Sequence, residues 1–157
     1  RAMSDIAGSF VAFLQDIAPL EDKLGPLLCQ LPPSLKFDAD RFKRAFDLMR
    51  KAVQGPIVIE PRHKSWASDA AASLLEVYAI DRVLADPPLV WSPDEFSMVR
   101  YIRLHGKPRI YYSNYEADEI RWFLHLLAPD GWCIFDNTAS GAAVQNALTM
   151  RDMRANQ

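Results

Sequence analysis

Five short apolar runs, each stopped by proline or by polar residues and separated from the next by a longer stretch, constrain this chain more than anything else in it. The runs are 26–31 (PLLCQL), 56–59 (PIVI), 82–85 (RVLA), 98–104 (MVRYIRL) and 132–135 (WCIF). Nearly continuous apolar strands of this kind are buried on both faces, as in a parallel sheet covered by helices. Pro32 and Pro33 cannot continue the first run, because proline has no N–H to give a ladder. Pro61 stops the second, Asp86-Pro87-Pro88 the third and His105-Gly106 the fourth.

Helical periodicity fills most of the intervals. Ile6, Phe10, Phe13 and Ile17 recur at helical spacing, as do Phe42, Ala45, Phe46 and Met49 within 40–51. Ser68 is placed to cap a third helix that turns Leu74, Leu75 and Tyr78 inward. Ser113 to Glu116 has capping-box spacing and opens a helix carrying Ile120, Phe123, Leu124 and Leu127. Ser140 and Gly141 lead into a last helix with Val144 and Leu148. The stretch 86–98 has three prolines after Asp86 and no helical period, so that crossover is expected to be a long loop. The class is α/β. Residues 1–157 read as a single domain without internal repeat or low-complexity stretch.

Composition weighs against several roles. A formal net charge of −2 over 157 residues argues against a general nucleic-acid binder, whose affinity rests on excess Lys and Arg. No apolar run approaches the ~20 residues of a membrane span. Segment 6–14 resembles a signal-peptide core but has no small-x-small cleavage site after it, and Asp5 and Asp16 flank it. Cys29 and Cys133 sit in apolar stretches and read as buried thiols of a reducing compartment. The cytoplasm is the expected location. With three histidines and no CxxC pair, any metal site would draw on carboxylates and imidazoles.

The candidates for chemistry are the polar residues at the end of each run, where contact with solvent would also account for polarity. These are Gln30 at the first, Glu60, Arg62 and His63 at the second, and Asp86 at the third. Arg103 and His105 end the fourth, and Asp136, Asn137 and Thr138 the fifth. In parallel α/β folds the carboxyl ends of all strands share one side, where sites form. Strand alternation places Val99, Tyr101, Arg103 and His105 on one face of the fourth run, and Ile102 and Leu104 on the other. Glu60 and Arg62 share a face of the second run unless Pro61 introduces a bulge. A buried arginine needs a carboxylate, and Glu60, Asp86 and Asp136 are the candidates. A structural ion-pair network would account for the same pairing. His63 packs beside Trp66 on the plain reading. Small and polar residues fill 136–141 (DNTASG), where backbone N–H groups at a helix start suit an anion. A simple N-cap by Thr138 or Ser140 accounts for the same composition. No P-loop, dinucleotide-binding, GxSxG or HExxH pattern is present.

Taken in order, KLGPLLCQLPPS, EPRHKSW, ADPP, YIRLHG and FDNTASGAAVQNAL resemble the YecE-like family, domain of unknown function 72. The resemblance covers residues 10–148, and it is the combination that is specific. Pro61 stands where the family usually has an apolar residue. Asp136 stands where it tends to have an amide, a carboxylate that repels phosphate unless a metal or Arg103 offsets it. The resemblance implies a fold similar to a TIM barrel, with an unsettled activity. Typical members begin with roughly three further βα units, and a complete barrel takes ~200 residues or more. The chain, which starts at Arg1, is therefore expected to hold only the later strands.

Three functions stand as expectations. The first is a hydrolase or lyase for a small anionic or phosphorylated substrate. Arg62, Arg103, Asn137, Thr138 and Gly141 would bind the anion, His105 would be general acid or base, and Glu60 or Asp86 its partner. The cofactor is left unknown; a divalent-metal version uses Glu60, Asp86, His105 and Asp136, an oxygen-rich set suited to Mg²⁺ or Mn²⁺. The second is a non-catalytic module holding a phosphorylated ligand or nucleotide. The third is a nucleic-acid-processing role in which aromatics near Trp91 and Tyr111 to Tyr115 stack on bases, against the net charge. The expected partners are a small anion and either further copies or a missing N-terminal segment, with no membrane.

Overall fold

The structure, a computed structural model, describes residues 6–156, with side chains from Phe10 onward. Asp5 and the side chain of Ile6 lie outside the described residues. Helix α1 (Ile6–Ile17) leads into β1 (Leu27–Gln30), α2 (Ala39–Ala52), β2 (Ile57–Glu60), α3 (Asp69–Val77), β3 (Ile80–Arg82) and β4 (Leu84–Asp86). Then come β5 (Val99–Leu104), α4 (Ala117–Leu126), β6 (Leu127–Phe135) and α5 (Ala142–Ala155). Every strand pair is parallel, with order β1-β2-β3 in one ladder and β4-β5-β6 in the next. Only Val83 separates β3 from β4, and its N–H donates to Ile59 O at 3.0 Å. The third strand is therefore one passage, 80–86, paired to β2 in its first half and to β5 in its second. It is longer at both ends than the apolar run 82–85, because Asp81 and Asp86 interrupt hydrophobicity without interrupting pairing. Among the described residues no helix is long and apolar enough to cross a membrane.

Alternation sorts the side chains. Leu27, Ile57, Ile59 and Ile80 pack with Phe42, Phe46, Trp66, Ala71 and Leu75 from the helical layer. Leu84, Ile102, Leu104 and Phe135 pack with Ile120, Phe123, Leu124, Ala143 and Met150. Val58, Val83 and Tyr101, with Leu28 and Ile134, form a smaller cluster on the opposite, inner face. Val99 departs from its expected face. The register slips between Val99 and Tyr101, and Val99 joins the helix-side cluster. Cys29 and Cys133 are free thiols pushed by burial up to about 11 and about 12, so both stay protonated at neutral pH.

Several local expectations change. Ser68 does cap α3, accepting from Ala71 N–H at 3.3 Å, and the crossover after β4 holds only a short 3-10 turn, Pro93–Glu95. The cap of α4, however, is Glu116 with Glu119 at the reciprocal position; the Ser113 hydroxyl instead accepts from Arg109 N–H. Gly141, at φ 79°, caps α5 without a side-chain bond, so neither Thr138 nor Ser140 serves. Val144 and Leu148 face solvent, while Ala143, Asn146 and Met150 are buried. Trp91 and Tyr115 are buried too, leaving Tyr111 and Tyr112 as the exposed aromatics of those loops.

Candidate functional site

Because the strands are parallel and in register, Gln30 lies opposite Glu60 and Arg103 opposite Ile134, one residue before the β6 end. Gln30, Glu60, Arg103 and Asp136 all follow the parity of the inner face, so their polar ends meet above the Val58–Tyr101 cluster. Glu60 is the centre, 1% exposed. Its Oε1 accepts from Gln30 Nε2 at 2.9 Å and from Arg62 at 3.3 Å, and its Oε2 from Arg103 at 2.7 Å. Burial raises the Glu60 pKa, but the hydrogen bonds from Gln30 and Arg103 outweigh it and hold the carboxyl below its ordinary value. The second arm of Arg103 donates to Asp136. Burial disfavours that guanidinium, and Glu60 and Asp136 more than compensate, raising its pKa. Asp136, whose charge would repel an anion, is thus paired with Arg103.

His105 is 5% exposed. Its Nδ1 lies 3.3 Å from Asp136 Oδ2 without the alignment a hydrogen bond needs, and neither ring nitrogen has a partner. Burial, then the Arg103 charge, lowers its pKa against the opposing pull of Asp136 and Glu60. This environment favours the neutral form of the ring. Arg62 is part-exposed, with its Nε buried and unpartnered. The Tyr111 ring stands perpendicular to the imidazole at a centroid distance of 5.9 Å.

Asp86 does not join this group. It has the parity of Leu84, so it turns to the helical side, where it accepts from Tyr115 OH at 2.8 Å and Lys107 Nζ at 3.2 Å. Asn137, fully buried, also turns that way and donates to Ser113 O and to Asn146 Oδ1. His63 caps the turn Lys64–Trp66, accepting from Ser65 N–H, next to the buried Trp66. Thr138 is exposed, and its carbonyl accepts from Gly141 N–H. The four-residue metal set does not assemble: among the described residues no three His, Cys, Asp or Glu side chains are grouped to hold a metal ion. Asp86 faces away, and the Arg103 guanidinium bridges Glu60 and Asp136 where a cation would sit.

Asn146 has no role on the sequence reading, which does not place Gln30 beside Glu60 or Tyr111, a candidate for base stacking, beside His105. Gln30 is visible there as a polar strand end. Asn146 is visible as a poor helix former inside a helix. Nothing local marks Tyr111 as the neighbour of His105.

Over residues 1–157 the chain matches the family model described as "Protein of unknown function DUF72". Its fold is similar to that of a DUF72 family protein from Thermotoga maritima, at 24% identity and a TM-score of 0.73, covering 92% of this chain and 64% of that one. A DUF72 family protein from Enterococcus faecalis is similar at 21% identity and a TM-score of 0.72, covering 93% and 65%. The chain therefore spans just under two thirds of the length of these relatives. No curated protein matches it.

Proposed function

The chain belongs to the DUF72 family, whose function is unknown, and from the site itself we propose an enzyme, a hydrolase or lyase, acting on a small anionic or phosphorylated substrate at the carboxyl edge of the strands. The observation that carries this reading is His105, a buried imidazole with two unpartnered nitrogens between an arginine and two carboxylates. Buried polar groups are nearly always hydrogen-bonded, and an exception calls for a cause. A neutral ring takes a proton from a bound hydroxyl or water, and Asp136, with Glu60 behind it, stabilises the imidazolium that results. Once Asp136 attracts the proton at Nδ1, Nε2 is the nitrogen left to act as base.

Arg62 is the cation best suited to touch the anion. Arg103 has both arms on carboxylates, so it acts by fixing Glu60 and Asp136. Thr138 and Gly141 border the same edge. A non-catalytic ligand-binding module is the second reading, favoured by the internal pairing of Arg103.

Melting temperature during titration with phosphate or sulfate tests the reading. Wild type is expected to gain stability with anion concentration, as any ligand bound to the native state alone requires. His105→Ala and Arg62→Ala are expected to melt near wild type without anion and to lose the gain. Wild-type response in both variants would remove the site assignment.

A further inference from the structure

The loop from Gly106 to Tyr115 carries a residue in a conformation its side chain does not favour. Tyr111 has φ 70°, the left-handed region that glycine enters freely and a bulky residue does not. Its backbone is held there from both sides. Its N–H donates to His105 O at 2.6 Å, and its carbonyl accepts from Ala139 N–H at 3.0 Å. The flanking residues are tied as well, Tyr112 O to the Ser140 hydroxyl and Ser113 O to the Asn137 amide. Glycine would make the same turn without strain, so any compensation for keeping a tyrosine comes from what its ring touches. That ring stands perpendicular to His105, 88° between planes, with nearly half of its own surface still exposed.

We propose that Tyr111 is the positioning residue of the His105 site: its ring closes the solvent side of the imidazole, keeping it dry and fixing the edge presented to a ligand. The other groups facing the imidazole are Arg103, Asp136, Glu60 and Arg62. They come from the strand ends and leave the loop side to Tyr111. The cations of the loop are engaged elsewhere, Lys107 by Asp86 and Glu119 and Arg109 over the Tyr112 ring. Burial is the largest of the influences lowering the His105 pKa, so removing the cover is expected to raise it. The inference deepens the role given to His105 above. Its test reads the imidazole directly and uses no anion, so it fails independently of the anion titration.

The experiment tracks the His105 ring resonance through a pH titration of the full chain, with His105→Gln identifying the signal. Diethyl pyrocarbonate modification of His105 is timed in parallel. Tyr111→Gly suits the backbone and is expected to fold. In it the His105 pKa should move up toward the ordinary value of about 6.5, and modification should speed severalfold. Tyr111→Phe, which keeps the ring, should match wild type in both. Unchanged pKa and rate in Tyr111→Gly, or a Tyr111→Phe that behaves like the glycine variant, would overturn the proposal.

Discussion

Arg103 bridges two carboxylates drawn from different strands, and that position decides what its loss costs. Arg103→Ala leaves Glu60 buried with only Gln30 and the part-exposed Arg62 beside it. The expected loss is ~3–5 kcal/mol, the range for breaking one side of a buried pair, measured by urea denaturation. A loss of about 1 kcal/mol or less, typical of screened surface pairs, would contradict the burial argument. His105 sets a pH dependence. Its folded pKa lies below the ordinary 6.5, so the native state binds fewer protons than the unfolded chain beneath that value. Stability from this group is present above 6.5 and is lost as pH falls from there through the folded pKa. Glu60, also lowered, adds a loss of the same sign further into acid. Melting temperature should fall as pH drops from about 7 to 5.5, and the fall should be shallower in His105→Gln. A flat wild-type profile would contradict it.

At the scale of elements, α5 shows why part of the architecture was legible and part was not. Its existence and its start after DNTASG were readable, but its inward face was not, because hydrophobicity favoured Val144 and Leu148. The packed face instead carries Asn146. The Asn146 carbonyl accepts from the Asn137 side chain at 2.8 Å and from Tyr115 N–H at 3.3 Å, and its amide donates to Tyr115 O and Asn114 Oδ1. One side chain thereby ties α5 to both loops that border the site. Asn146→Ala leaves those groups unpaired and should cost about 1–3 kcal/mol, while Val144→Ala, on the exposed face, should stay within about 0.5 kcal/mol. Chemical denaturation of both variants checks the contrast. The strand ends were more legible than the caps. Alternation is fixed by backbone geometry, which placed Arg103 and Glu60 on one face. Asp86 obeys the same rule, with the parity of Leu84, but polarity at a strand end does not say which face the residue takes. Val99 departs from the alternation through a register slip that leaves no mark in composition.

For the molecule as a whole, the sheet begins at β1 and ends at β6, and among the described residues neither outer edge is paired. Among the described residues the buried apolar cluster of the inner face is small, Val58, Val83 and Tyr101. Free edges recruit further strands, so this chain alone is expected to self-associate, with size-exclusion mass above the monomer; a stable monomer with one cooperative melt would contradict this. The family was legible in the ordered motifs because they encode this arrangement: QLPP and EPRHKSW end β1 and β2, YIRLHG carries Arg103 and His105, and the two asparagines of DNTASGAAVQNAL are the hydrogen-bonded Asn137 and Asn146. The reaction was not legible, because the side chains fix a neutral imidazole and its surroundings without fixing a substrate. The proposed site requires a small anion to bind at His105. It is tested most directly by monitoring the ring resonances of His105 and of exposed His125 while phosphate is added at constant pH. A saturable shift of His105 is expected, absent in Arg62→Ala, with His125 unmoved. A His105 signal that stays in place, or that moves only in parallel with His125, would contradict it.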